Sequence, residues 1–360
     1  MRKRKVLIWT TLISDLLDEG KTTGGIAVQL YFWALTFKQN GWLVTSLCER
    51  HSYRHDGIFF FKKNNWGKLE ILHEWFAIFW ILLTSRPTLV ISRGSDRSNY
   101  PLAILTKVLR IKYIFFAASD VNFVPGKDSV AGGHHNTNLY RKSIKFIPYI
   151  VVQNNYQQQT LKKNYRKDSL IIPNIWSDIP STGNIEKESS DVVWVANFRK
   201  LKRPEWIIST AKQLTDIQFS MIGGPTNNID YYNKIKNIAE KQKNITFWGV
   251  LSFITTTEKI RFSKILACTS EFEGFPNTFL QAWANDIPVI STVDPSNVIT
   301  TYNLGIVIET EDDLQKQIRN LLQNNQLYEK MKQNIHTYFA TNHAADTNLS
   351  KLMKYVNLPH

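Results

Sequence analysis

Ile265-Leu-Ala-Cys-Thr-Ser-Glu-Phe-Glu273-Gly-Phe-Pro-Asn277-Thr-Phe-Leu-Gln281-Ala-Trp-Ala-Asn-Asp-Ile-Pro-Val-Ile290 joins an apolar run, a carboxylate-bearing turn and a helical pattern. Residues 265–269 read as a buried strand, and the periodicity from about Asn277 to Asn285 reads as a helix. The strand delivers Glu271 and Glu273 to a Gly-Phe-Pro turn. The helix that follows presents backbone amides with no intrahelical partner, which attract phosphate oxygens. Gln281 lies two turns into that helix, eight positions after Glu273, so one ligand could touch both. A capped helix after a buried strand would explain the apolar residues, but not a carboxylate at the carboxyl end of the strand.

The same rhythm extends outward in both directions. Toward the N-terminus, strands are expected at 191–196, 217–222 and 245–249, with helices near 204–214 and 230–242. Toward the C-terminus, strands follow at 288–291 and 305–308, with a helix at 312–323. The polar, proline-containing stretch around 176–190 reads as a linker. Before it, runs at 6–12, 43–48, 58–61, 89–92, 113–117, 150–153 and 170–172 alternate with helical stretches at 26–39, 69–83 and 100–109. Alternation of this kind predicts an α/β chain of two doubly wound, Rossmann-like domains facing each other across a cleft, with ligands at the carboxyl ends of the strands. The expected division is 1–175, a linker at 176–190, 191–340, and a C-terminal helix at 341–360 that packs across the domain boundary. The helical tail at 326–356 has no strand partner.

The chain has 360 residues, with 44 Lys+Arg against 30 Asp+Glu, a net charge of +14. The excess is lopsided: residues 1–180 hold 25 basic and 12 acidic side chains (+13), and residues 181–360 hold 19 and 18 (+1). A basic half points to an anionic partner: nucleic acid, phospholipid or a phosphorylated substrate. With 43% hydrophobic residues the chain can bury substantial cores. Two cysteines, Cys48 and Cys268, suggest neither a disulfide framework nor a thiolate metal site. The N-terminal Arg-Lys-Arg-Lys is followed by an apolar stretch broken by Asp15, Asp18 and Glu19, so a cytoplasmic location is expected. The longest apolar segment, 71–83, is shorter than the roughly 20 residues that span a bilayer.

Several motifs carry less. Gly20-Lys21-Thr22 looks like the end of a P-loop, but Asp15 stands where the first glycine is required. Gly24-Gly25 opens a helix and allows close backbone approach to a ligand, or simply a tight helix entry. His134-His135 lacks companions at ligand spacing and reads as a solvated loop. Arg93, Arg97 and the 141–145 cluster read as surface charge or as the lining of an acceptor site. Trp75-Phe-Ala-Ile-Phe-Trp80 reads as a buried helix before a membrane anchor.

The 265–290 segment resembles the signature of retaining glycosyltransferases of family 4, of the GT-B fold, whose Glu-x7-Glu motif holds a nucleotide sugar. The resemblance covers most of the chain: Gly24-Gly25, Ile171-Ile-Pro-Asn174, Val193-Trp-Val-Ala-Asn-Phe-Arg199-Lys-Leu-Lys202-Arg-Pro, Phe219-Ser-Met-Ile-Gly-Gly224 and Phe247-Trp-Gly249 match in order. It implies an N-terminal acceptor domain and a C-terminal nucleotide-sugar domain. It implies that Glu273 binds donor-sugar hydroxyls, that Lys202 and Arg199 neutralise the departing diphosphate, and that amides along Phe275, Pro276, Asn277, Thr278 and Phe279 contact the diphosphate. Gly24, Gly25, Gly223, Trp248, Gly249, Gly274 and Gln281 complete the implied donor site.

Three departures from the pattern stand out. Gln281 replaces the second Glu, Asn197 replaces an Arg, and Ala117-Ala-Ser-Asp120 stands where many relatives carry a histidine beside an acid. Asp120 is therefore the candidate near the acceptor or reacting carbon. The resemblance implies no metal and no cofactor. It implies a nucleoside diphosphate sugar as donor, and as acceptor a glycan or a lipid-pyrophosphate-linked glycan of surface polysaccharide synthesis. The enzyme would sit at the inner face of an anionic membrane. Rival readings are a GT-B nucleotide-sugar epimerase and, from charge alone, a nucleic-acid-binding protein, for which no recognition motif is present.

Overall fold

A computed structural model describes residues 4–17, 24–49, 52–55, 57–62, 70–128, 130, 133–177, 190–226, 228–273 and 275–359. They fall into two compact units. One holds the described residues up to Ser177 together with those from Ala344 onward, and the other holds those between Ser190 and His343.

The first unit is built on an eight-stranded sheet. Its strands are β1 (Lys5–Ile8), β2 (Leu43–Cys48), β3 (Tyr53–His55), β4 (Ile58–Lys62), β5 (Leu89–Arg93), β6 (Lys112–Phe116), β7 (Tyr149–Val152) and β8 (Leu170–Ile171), in the order β3-β4-β2-β1-β5-β6-β7-β8. All pairs are parallel except β3 with β4, a three-residue edge hairpin. The Gly25–Gln39 helix is apolar nearly all round, and Ala27 to Phe37 are all buried, so it runs inside the unit rather than over it. Two of its buried polar side chains, Thr36 and Gln29, are hydrogen-bonded to backbone. Thr36 Oγ1 donates to Phe32 O (2.7 Å), and the Gln29 amide exchanges two hydrogen bonds with the Ile175 backbone (3.1 and 2.9 Å). The helix stops at Asn40-Gly41, where Gly41 takes φ +78.

The second unit is a six-stranded, all-parallel sheet: β9 (Ser190–Val195), β10 (Phe219–Ile222), β11 (Ile245–Gly249), β12 (Ser263–Cys268), β13 (Val289–Ser291) and β14 (Gly305–Val307), in the order β11-β10-β9-β12-β13-β14. Trp194, Phe198, Met221 and Ile265 are among its core residues.

Several expectations shift. Of the expected linker, 178–189 lie outside the described residues, whereas Trp176 and Ser177 pack with the first unit. The tail at 326–356 is two helices, Asn325–Asn342 in the second unit and Ala345–Tyr355 in the first. The break is local. Ala344 is extended (φ −58, ψ 128) and bridges in parallel to Trp176, which helical geometry does not allow. The expected first strand, 6–12, ends at Ile8, and Leu12–Leu17 is helical. His134-His135 opens the His134–Phe146 helix instead of standing in a loop. The aromatic run is helical, within Glu70–Ser85, but its expected burial fails for one face. Phe76 is 64% and Trp80 55% exposed, with rings stacked 6.4 Å apart, and Leu83 is exposed on the next turn. Cys48 and Cys268 are free and buried.

Candidate functional site

In the second sheet the chain runs from β9 outward through β10 to β11, then returns to lay β12 on the other side of β9. Strand order therefore reverses between β9 and β12, the place where open parallel sheets leave a crevice at their carboxyl ends. The two loops that leave these strands carry the basic segment and the 271–276 turn.

Thr269, just past the end of β12, ties the loops together. Its hydroxyl lies 2.6 Å from Lys202 O and 3.1 Å from Arg203 O, and it accepts from Trp194 Nε1 at 3.1 Å. The Glu271 N–H adds a bond to Leu201 O (2.8 Å). Held this way, the Lys202 ammonium donates to Glu273 Oε1 in an ion pair, and Ser270 Oγ donates to the same oxygen at 2.9 Å. The Lys202 and Glu273 side chains are 17% and 22% exposed, so the pair is partly withdrawn from water but open to a ligand. Arg203 stands beside them. It takes φ +47 at the turn into the Pro204–Gln213 helix, lies 3.8 Å from Glu271 and rests 4.6 Å above the Trp206 ring. Arg199 is exposed at the start of the Lys200–Lys202 turn. Phe272, between the two carboxylates, is one of the most exposed apolar side chains.

The Asn277–Trp283 helix begins where the sequence places it, with Pro276 as N-cap and no capping side chain. Phe275 packs its ring against Trp283 and His343; Phe275, Asn277 and Thr278 are partly exposed and Phe279 is buried. Gly274 lies outside the described residues. Gln281 is 3% exposed and spends its Nε2 on Thr257 Oγ1 (3.0 Å), a use of this side chain that the resemblance does not imply. Trp248 is likewise engaged. Its Nε1 donates to Ser220 Oγ (3.2 Å), and the Lys259 ammonium sits 3.7 Å from its ring centroid.

Gly223 has a packing reason to be glycine. At φ +150, a Cβ there would lie 1.9 Å from Ala196 O, so the exits of β9 and β10 touch backbone to backbone. Gly249, at φ +67, accepts from the Gly223 N–H (2.8 Å).

Gly24, Gly25 and Asp120 belong to the first unit. Gly24 is the N-cap of the Gly25–Gln39 helix, without a capping side chain. Asp120 is exposed at the start of a single 3₁₀ turn after β6. Its Oδ1 accepts from Asn154 Nδ2 (3.2 Å) and Gln157 Nε2 (2.9 Å), which fixes the carboxylate's orientation.

Sequence reasoning passed over Thr269, Ser270, Thr257 and Arg203. The Thr-Ser pair directly after an apolar strand was a readable signal, because hydroxyls there replace the ladder partners that the strand end lacks. Thr257 had no such signal. No group of three or more metal-ligating side chains occurs among the described residues.

Residues 177–337 match a family model described as Glycosyl transferases group 1, a stretch that includes Arg199, Lys202, Glu273 and Gln281. An uncharacterized glycosyltransferase of Methanocaldococcus jannaschii is 22% identical over 254 residues, 62% of this chain, and the chain spans 60% of that relative's length. Among solved structures, sucrose-phosphate synthase from Thermosynechococcus elongatus superimposes with TM-score 0.70 at 12% identity, over 98% of both chains. The pneumococcal O-GlcNAc transferase GtfA, in complex with UDP and GlcNAc, superimposes with TM-score 0.67 at 12% identity, over 99% of both. The chain has the GT-B fold of glycosyltransferases, and its second unit carries the group 1 match.

Proposed function

We propose that the chain is a family 4 glycosyltransferase that moves a glycosyl group, with retention, from a nucleoside diphosphate sugar to a hydroxyl of a glycan or lipid-linked acceptor. The observation that carries the reading is the Lys202–Glu273 pair at the β9/β12 reversal. A diphosphate needs a cation, a sugar's hydroxyls need an acceptor, and the glycosidic C–O–P linkage lies where those two parts of a donor meet. One ion pair supplies both groups within a hydrogen bond of each other. Lys202, with Arg199, would stabilise the negative charge that develops on the departing diphosphate, and Glu273 would orient the sugar. The freed diphosphate then takes the acceptor proton on the same face, so the reaction needs neither a metal nor a dedicated base. Asp120, oriented by Asn154 and Gln157, is the proposed group near the acceptor.

The family match over 177–337 and the UDP and GlcNAc carried by the pneumococcal structure support a nucleotide-sugar donor. A role in surface polysaccharide synthesis at the inner face of a membrane is part of the proposal. Support for membrane contact comes from the +13 charge of residues 1–180 and from Phe76, Trp80 and Leu83, an exposed apolar stripe on one helix. No helix of the described residues is long and apolar enough to cross a membrane. Nuclear magnetic resonance of the product formed from a sugar nucleotide tests the reading. Transfer with an unchanged anomeric configuration supports it, an inverted product refutes retention, and a free epimerised sugar supports the epimerase instead.

A further inference from the structure

The turn that carries Glu273 is held at two points. At the first, Lys202 and Ser270 bind the Glu273 carboxylate. Two residues on, Phe275 lays its ring against Trp283, edge-on at 73° with 6.1 Å between centroids, and against His343 at 5.6 Å and 41°. Trp283 lies on the helix into which the turn leads, so that contact is local. His343 is distant in sequence, and its contact fixes the turn against a separate element. A glycine precedes Phe275 in the sequence and brings no side chain to anchor the turn, so the Phe275 ring is the anchor nearest Glu273 on that side.

His343 is fully buried and closes the Asn325–Asn342 helix, its N–H donating to Phe339 O (2.9 Å). Besides Phe275, its ring lies among those of Trp283, Tyr338 and Phe339, at 6.3, 5.3 and 6.0 Å. These spacings fall in the range of attractive ring packing, and an interior packed this closely leaves the imidazole little room to shift. Its place in the chain matters as well. It is the last residue of the second unit; Ala344 already belongs to the first, where it bridges in parallel to Trp176. The turn therefore rests on the residue from which the chain returns to the first unit.

We propose that His343 is a positioning residue for this turn: its ring supports Phe275 and thereby sets where the Glu273 carboxylate stands for a sugar's hydroxyls. It acts through Phe275 and touches no ligand atom. The functional half of this inference rests on the donor reading of Glu273, whereas the placement of the turn does not. With no ring beneath Phe275 the turn can take other courses, and a ligand must then select the competent one. Donor affinity falls in proportion to its population, although Glu273 and Lys202 are both still present.

The test uses the full chain and two readouts, each taken well below the Tm of the variant: hydrogen exchange without ligand, and calorimetric binding of UDP, GDP, dTDP and ADP sugars. His343→Ala is expected to speed amide exchange across 277–283 by about tenfold and to weaken the best-bound sugar nucleotide by about tenfold. His343→Phe keeps a ring beneath Phe275 and should stay within about twofold of the native chain on both readouts. Phe275→Ala breaks the same contact from its partly exposed side, so it carries the test if His343→Ala does not fold. It should weaken the donor to the same extent, and the double variant should bind little worse than either single one, because both remove one contact. A histidine that merely fills the core would lower Tm on substitution and leave the affinity of the folded protein unchanged. The proposal is overturned if His343→Ala or Phe275→Ala binds the sugar nucleotide as the native chain does, or if the two losses multiply to about a hundredfold in the double variant. Failure of the native chain to bind any sugar nucleotide would instead overturn the donor reading. Exchange across 277–283 then tests the placement of the turn by itself, faster exchange in the variants supporting it and native rates refuting it.

Discussion

Lys202 and Glu273, 71 positions apart in the chain, meet as an ion pair between the loops that leave β9 and β12. Both are partly exposed, so the pair adds little to stability, on the order of 0–1 kcal/mol; its value lies in holding a cation and an acceptor at one spot. Lys202→Met is expected to fold normally, to lose the stabilisation that nucleoside diphosphates confer, and to lose turnover by about 10²–10³-fold. Asp120→Ala should lose most turnover while keeping the full donor response. The two variants compared by thermal shift and product formation separate donor binding from chemistry, and normal turnover of Asp120→Ala would remove that residue from the mechanism.

Gly223→Ala should be strongly destabilised. The new Cβ meets Ala196 O at 1.9 Å, and φ +150 is unfavourable for any L side chain. A cost of about 2–4 kcal/mol is expected, read as a drop in Tm of more than ~5 °C. Gly24→Ala, at φ −88 with open space, should leave Tm nearly unchanged. Equal melting of the two variants would contradict the packing account.

Gln281→Glu restores the residue that the resemblance leads one to expect, yet here it should destabilise. The Thr257 hydroxyl already donates to Phe253 O (2.9 Å) and accepts from Gln281 Nε2, so a carboxylate would face an oxygen with no proton to offer. In this buried position the new carboxyl's folded pKa rises above its unfolded value of about 4.3. The protonated form is the one the fold tolerates. Stability is therefore close to that of the native chain below about pH 4.3 and is lost as pH rises through the folded pKa, by about 1–3 kcal/mol at neutral pH. Urea unfolding at pH 4 and pH 7.5 checks the sign; a variant equally stable at both would show that the site admits charge.

Much of this was legible from residues alone. The helix after Pro276, the two sheets and the basic loop follow from periodicity and from a turn that only Gly and Pro readily build. Other features were not legible, because they depend on side chains brought together by tertiary packing. The engagement of Gln281 by Thr257 and of Trp248 by Lys259 links residues far enough apart that no local pattern signals them. Phe76 and Trp80 illustrate a different limit: an aromatic run reads as core whether or not a neighbour covers it.

Replacing Phe76 and Trp80 together with Ser should reduce flotation with vesicles containing anionic phospholipid by tenfold or more, since each aromatic buried in the interface contributes about 1.5–3 kcal/mol. Circular dichroism should be unaffected, as both side chains are largely exposed. Undiminished flotation would mean that the helix face plays no part in membrane contact.

The central claim is that Glu273 and Lys202 bind the two halves of a sugar nucleotide. Its most direct test is a thermal-shift panel of UDP, GDP, dTDP and ADP, each free and as its sugars, against the native chain and Glu273→Ala. At least one sugar nucleotide should raise the Tm of the native chain, and Glu273→Ala should lose the sugar-dependent part of that rise while keeping most of the response to the free diphosphate. If Glu273→Ala responds to every sugar nucleotide as the native chain does, the assignment is wrong.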